Sequence, residues 1–114
     1  MVEFPKVVKV RQRFTRPRVE SVEAALQEQL GREEIASLIR PGMSVALTAG
    51  SRGIAEIDVI LRSLVTILKE MEAEPFIVPS MGSHGGATAE GQVEILESLG
   101  VTEEFCGAPI RSSM

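Results

Sequence analysis

Two short apolar runs, each ending in a glycine-containing loop and followed by a helix-like stretch, constrain the fold of this chain most. The runs are MSVALTAG (43–50) and EPFIVPSMG (74–82), and the stretches after them cover 54–71 and 88–100. Short apolar runs that alternate with amphipathic helices are typical of parallel sheets. The loops that follow two parallel strands lie at the same edge of the sheet. The sequence therefore predicts an α/β fold, a small Rossmann-like parallel sheet with helices on its faces.

The stretch 54–71 carries the strongest helix signal in the chain. Its apolar residues recur at the spacing of one helix face, namely Ile57, Ile60, Leu61, Leu64, Leu68 and Met71. Further apolar residues widen this face, so we expect the helix to be covered on more than one side. For the next helix, Thr88 is the predicted N-cap and Gly100 the predicted C-cap. Thr102 is expected to cap one more short turn.

The first forty residues predict a strand and then a helical segment. Apolar spacing indicates a helix over 21–39, interrupted near LGREE (30–34) and ended by Pro41 and Gly42. We therefore expect an N-terminal strand and helical segment over 1–40 and a βαβα core over 41–114, within one domain. Because the predicted sheet is thin, we also expect the chain to be the N-terminal part of a longer protein.

Residues 1–18 are strongly basic. This segment holds six Lys and Arg residues and one acid, a net charge of +5. Because the whole chain has a net charge of −4, the other 96 residues carry −9. A basic arm can bind nucleic acid or a membrane surface. Apolar and basic side chains alternate, however, with Val8, Val10 and Phe14 on one side and Lys9, Arg11 and Arg13 on the other. This alternation favours a half-buried strand, and we predict no nucleic-acid and no membrane partner.

Composition narrows the class of protein further. A chain of 114 residues with 44% hydrophobic and 25% charged residues is typical of one soluble globular domain. Its single cysteine, Cys106, excludes an internal disulfide and favours a reducing compartment. No apolar run is long enough to span a bilayer, and the first residues lack the apolar segment of a signal peptide. We expect a cytoplasmic protein.

The loop AGSRG (49–53) is the first candidate for binding. Free N–H groups at the start of a helix, with the Arg52 guanidinium and the Ser51 hydroxyl, would suit a carboxylate or a phosphate. The alternative is a tight turn with a solvent-facing arginine. The spacing matches neither the phosphate-binding P-loop nor the dinucleotide-binding turn.

The loop MGSHGGAT (81–88) is the more specific candidate. It holds the only histidine, His84, and its glycines would let a ligand approach the imidazole and the backbone at Ser83. A neutral imidazole can act as a general base. The alternative is a surface histidine in a flexible loop. One histidine and one distant cysteine predict no metal site held by this chain alone, and no Ser-His-Asp arrangement is readable.

Taken together, PGMSVALTAGSRGIAEIDVIL, EPFIVPSMGSHGGATAEGQ and GVTEEFCGAPIRSSM resemble the N-terminal part of the nickel-dependent lactate racemase family. That family's loops read D-x-T-R-P and G-T-H-R-P-x-T-x-E. The resemblance places the anion-binding arginine on Arg52 and the catalytic histidine on His84. It matches the rest of the second motif at Gly82, Ser83, Thr88 and Glu90, whereas Gly85 stands where the family has a second arginine. The chain departs from the family at Ala49, at Ser51 and in the GSHGG segment, which indicates a divergent branch.

The resemblance implies racemisation or epimerisation of a 2-hydroxy acid with a nickel-pincer nucleotide as cofactor. One histidine takes the hydroxyl proton while the cofactor takes a hydride, and a second histidine acts on the opposite face. Since this chain has one histidine, the resemblance implies a further C-terminal domain, and we expect no activity from these 114 residues alone. Two alternatives stay open: an anion- or phosphate-binding module without catalysis, and a structural domain that packs on a partner. A homo-oligomer is also open.

Overall fold

The computed structural model describes residues 1–114 and contains a two-stranded parallel sheet with helices. Strand β1, Ser44–Ala49, pairs in parallel with strand β2, Glu74–Pro79, and Ser44 lies opposite Glu74. The predicted strands and their parallel pairing are therefore confirmed. The sheet has only these two strands, extended by a single bridge between Ile77 and Ile110, so the α/β class holds but a full Rossmann fold does not form.

The helices lie close to their predicted positions. They are α1 (Val22–Leu30), α2 (Glu33–Ala36), α3 (Ile57–Glu70), α4 (Ala89–Ser98) and α5 (Glu103–Cys106). The Thr88 hydroxyl accepts a hydrogen bond from the Gly91 N–H at 3.0 Å, and the Thr102 hydroxyl accepts one from the Phe105 N–H at 3.1 Å. Both predicted N-caps are confirmed, since each satisfies an N–H group that the helix leaves free.

The core lies on one face of the sheet. Its buried residues are Ala49, Ile57, Leu61, Ile77, Met81, Leu96, Val101 and Cys106. The opposite face is open: Ser44, Ala46 and Thr48 are exposed there, and Phe76 is partly covered by the Arg111 guanidinium, 4.2 Å from the ring centre. Parallel sheets are normally covered on both faces. In this sheet only one face is covered, and the other face is open.

The helical segment before the sheet forms as predicted, with a break at Gly31–Arg32 between α1 and α2. Helix α1 packs along α3, and none of its residues is fully buried. Of all the helices, none combines the length and the apolar content needed to cross a bilayer.

Residues 1–19 form an extended arm without helix or strand, and every side chain in it is exposed. The strand predicted over Val8, Val10 and Phe14 is therefore wrong for the isolated chain. A strand needs a neighbouring strand for its backbone hydrogen bonds, and no hydrogen bond of the chain involves residues 1–20. The arm also gives the chain a radius of gyration of 19.2 Å, against about 13 Å for a compact chain of this length.

Candidate functional site

Two loops meet at the carboxyl edge of the sheet. The first loop, 50–56, joins β1 to α3, and the second loop, 80–88, joins β2 to α4. The Ser80 N–H donates to the Ala49 carbonyl at 2.7 Å, so the sheet ladder continues to the start of both loops. The parallel pairing therefore brings together the two loops that the sequence marked as candidates.

A hydrogen bond between Ser51 and His84 joins the two loops. The Ser51 Oγ lies 2.5 Å from the His84 Nδ1, and both residues are half-buried. In one tautomer of the ring, Nδ1 carries the proton and donates it to the Ser51 oxygen, and the Nε2 lone pair is free. In the other tautomer, the Ser51 hydroxyl donates to Nδ1, and Nε2 carries the proton. No protein group bonds to Nε2. The pair thus offers one ring nitrogen for proton exchange with a guest molecule.

The second loop is shaped by glycines in the left-handed region, with φ of 62° at Gly82, 69° at Gly85 and 66° at Gly86. Gly85 was expected to leave room for a ligand, but helix α4 fills that room. A Cβ at Gly85 would lie 2.4 Å from the Gly91 carbonyl carbon. Open space surrounds the corresponding positions at Gly82 and Gly86. Gly85 therefore seats the loop on the helix, while Gly82 and Gly86 leave the surface beside His84 uncovered.

Thr88 and Ser83 have different roles in this loop. The Thr88 hydroxyl caps α4 and also donates to the Gly85 carbonyl at 3.1 Å, so it is already engaged within the loop. The Ser83 side chain is exposed and makes no hydrogen bond, while its carbonyl accepts from the Ala87 N–H. Of these two predicted ligand-binding residues, only Ser83 has its hydroxyl free for a ligand.

Gln92 supports the site and was missed by sequence reasoning. Its side chain is 3% exposed, and its Nε2 donates to the Gly82 carbonyl at 2.7 Å. This bond fixes the loop two residues before His84. The sequence does contain a signal for this role, because Gln92 lies four residues before Leu96 and therefore on the buried face of the helix. A polar side chain at such a position requires a hydrogen-bond partner.

Arg52 lies next to Ser51 in the first loop and is exposed, without an ion pair or a hydrogen bond. Helix α3 starts at Ile57, later than the predicted start at 54. Arg52 is therefore separated from the first helical turn, and the structure does not join its guanidinium to the helix N-terminus as one anion site. No side chain caps α3, and Glu56 before it adopts the left-handed region at φ 55°.

The residues at this edge do not make up a metal centre. No group of three or more His, Cys, Asp or Glu side chains that could hold a metal ion forms in the chain. Cys106 is 2% exposed and belongs to the core. Burial raises the pKa of its thiol above the ordinary 9.0, with a smaller opposing effect from the Thr102 backbone hydrogen bond. A buried neutral thiol is neither a nucleophile nor a ligand at neutral pH.

Comparisons with protein-family models, with curated proteins and with solved structures give no match for this chain. Its site is therefore interpreted from its own geometry, and the resemblance to lactate racemases stays a prediction.

Proposed function

We propose that the carboxyl edge of the sheet binds a small 2-hydroxy acid and that His84 exchanges a proton with the hydroxyl group of that substrate. The hydrogen bond between Ser51 and His84 carries the proposal, because it orients an imidazole whose Nε2 has no protein partner. General acid–base catalysis needs such a positioned group within hydrogen-bond reach of the reacting proton. The resemblance to lactate racemases supplies the reaction class, racemisation or epimerisation.

Ser51 acts as a positioning residue for the ring. When Nε2 accepts a proton from the substrate, both ring nitrogens become donors, and the Ser51 oxygen accepts from Nδ1. Return of the proton from Nε2 restores the neutral ring. A serine oxygen stabilises the charged ring less than a carboxylate would, so this pair suits proton exchange in both directions better than strong proton abstraction.

Arg52 is the proposed partner of the substrate carboxylate. Its guanidinium is exposed and has no acidic partner in the chain. It directly follows Ser51, whose side chain reaches the imidazole. Guanidinium and carboxylate groups form paired hydrogen bonds, which fix orientation as well as charge.

The residues at this edge do not fit a complete site for the nickel-pincer nucleotide. They supply one imidazole, and no cluster of three metal-ligating side chains accompanies it. The lysines lie elsewhere: Lys69 donates to the Gly107 carbonyl, and the other two lie in the arm. We therefore derive only the proton exchange at His84, and propose that the cofactor site and the second histidine belong to further residues outside this chain.

The single histidine makes substrate binding directly measurable. We expect the His84 ring resonances in NMR to shift on addition of lactate, since the substrate hydroxyl would contact Nε2. Arg52→Ala should weaken this binding about tenfold or more, as expected for loss of a charge-assisted pair. Arg40→Ala is the matched control, because Arg40 is exposed and precedes β1 at the opposite edge of the sheet. Absence of any lactate-dependent shift would contradict the proposal.

Catalysis is tested separately, in the complete protein supplied with its cofactor. We expect His84→Ala to lower turnover by about 10²-fold or more, the usual contribution of a general acid or base. Ser51→Ala should lower kcat by a smaller factor and leave KM nearly unchanged, because it acts through the ring. Full activity in the His84→Ala variant would contradict the catalytic assignment.

A second candidate function is an anion-binding module without catalysis. The unpaired Arg52 guanidinium favours it, since an exposed arginine without a carboxylate partner is available to a ligand. In that case inorganic phosphate should bind as well as lactate, Arg52→Ala should abolish both, and His84→Ala should change neither.

A further inference from the structure

One edge of the sheet has no partner. Strand β1 pairs only with β2, whereas the far side of β2 is bridged by Ile110. The Met43 and Ala49 carbonyls accept from residues of β2 and its flanks, so odd-numbered residues of β1 bond toward β2. The backbone groups of Ser44, Ala46 and Thr48 therefore point to the outer edge. An unpaired edge of this kind is a template for another strand.

The arm, residues 1–19, has the pattern of a strand but no neighbour. Its apolar side chains are strongly exposed: the exposed fraction is 84% for Val8, 83% for Val10 and 65% for Phe14. They alternate with Lys9, Arg11 and Arg13. Alternation over this length predicts one face on a core and one face in water, and the isolated chain provides no core for the apolar face.

We propose that the arm of a second copy of this chain adds to the outer edge of β1, and that two copies exchange arms reciprocally. Residues 6–14 would extend the sheet as a third strand. Val8, Val10 and Phe14 would then cover the core side, where Val45 and Leu47 are only half-buried. The basic side chains would lie on the open face, which carries Glu74 and, over the Phe76 ring, the Arg111 guanidinium.

Charge complementarity favours a second copy of this chain as the partner. The first 18 residues carry +5, and the remainder of each chain carries −9. Within its own chain the arm makes no hydrogen bond and contributes to a longest dimension of 71 Å. Reciprocal exchange satisfies both arms and both edges, and it closes the assembly as a two-fold dimer. This inference does not depend on the function of the loop residues.

The test is the mass of the full chain in solution, measured by analytical ultracentrifugation over a concentration series. We expect the mass of two chains, and a dimer that weakens as salt is raised, since the contact joins opposite charges. Val8→Asn combined with Val10→Asn should give the mass of one chain. Val2→Asn is the matched control, an exposed valine outside the proposed strand, and should remain dimeric.

A complementation experiment tests the exchange itself. Ala46→Pro removes an outward N–H of β1 without removing a bond to β2, so this variant has an intact arm and a blocked edge. The Val8→Asn, Val10→Asn variant has an open edge and a disabled arm. Each should be monomeric alone, and the mixture should form a mixed dimer. A monomeric full chain, or a dimer that survives the arm substitutions, would overturn the proposal even where Ala46→Pro fails to fold.

Discussion

The two loops at the carboxyl edge of the sheet occupy equivalent places but are held very differently. The loop after β2 is fixed by the Thr88 cap, by the bond from Gln92 to the Gly82 carbonyl, and by the contact of Gly85 with α4. The loop after β1 enters α3 without a side-chain cap and with a left-handed glutamate. Its one side-chain bond is the one from Ser51 to His84.

This difference shows that position and rigidity come from separate parts of the sequence. Parallel pairing places both loops at one edge, but only the first turn of α4 supplies groups that hold its loop. The His84 imidazole therefore belongs to the loop that α4 holds in place, and the first loop contacts it only through the Ser51 hydroxyl. In the proposed site, the imidazole would therefore be held firmly, and the Arg52 guanidinium would be free to follow the ligand.

The largest loss of stability is expected when Gly85, which seats the second loop on α4, is replaced. Gly85 and Gly86 have nearly equal positive φ, 69° and 66°, but only Gly85 faces the backbone of Gly91. Gly85→Ala should therefore lower the free energy of unfolding by about 3 kcal/mol or more, combining left-handed strain with a backbone clash. Gly86→Ala is the matched control and should cost only the strain, about 1 kcal/mol. Urea unfolding measures both, and equal losses would mean that the contact with α4 does not hold the loop.

A smaller loss is expected when the buried hydrogen bond to the loop is removed. Gln92→Met keeps the volume of the side chain but leaves the Gly82 carbonyl without its donor. We expect a loss of about 1–3 kcal/mol in the free energy of unfolding, the usual result of an unmade buried hydrogen bond. The control is Gln27→Met, an exposed glutamine of α1, which should change stability by less than about 0.5 kcal/mol.

The Gln92→Met variant should also change the environment of His84. Because Gly82 lies two residues before His84, the ring resonances of His84 should broaden or shift in this variant. Unchanged resonances together with an unchanged unfolding free energy would assign the rigidity of the loop to the glycine contact alone.

The smallest effect, of opposite sign, is expected in the first loop. Glu56 adopts φ 55°, a conformation that glycine accepts without strain. Glu56→Gly should raise the free energy of unfolding by about 0.5–1 kcal/mol, after the backbone entropy of glycine is subtracted. The same exchange at Glu94, within α4, should instead lower it by about 1 kcal/mol. Thermal unfolding compares the two, and a loss at both positions would show that Glu56 stabilises the entry into α3.

The sequence was sufficient for features that depend on local pattern. Periodicity identified both strands and the main helices, and the hydroxyls of Thr88 and Thr102 identified two helix starts. Parallel pairing then predicted that the two loops meet. It did not identify Ser51 as the contact of His84, because the reach of a side chain depends on the path of its loop.

Two expectations failed for reasons that local pattern cannot supply. Gly85 was assigned to ligand approach, whereas its missing side chain accommodates a helix backbone, which is a tertiary contact. The arm has the alternation of a strand, but alternation provides no partner for backbone hydrogen bonds. The bond from Gln92 to the Gly82 carbonyl is likewise a tertiary contact, between a helix side chain and a loop ten residues earlier.

The burial of the single thiol has a practical consequence. Cys106 is 2% exposed and sits in the last turn of α5, where the Lys69 ammonium bonds to the adjacent Gly107 carbonyl. A thiol reagent can reach its sulfur only while that corner of the chain is open. The rate of alkylation at Cys106 therefore reports how often the carboxyl-terminal segment opens away from the core. The protein thus contains a built-in probe of local opening.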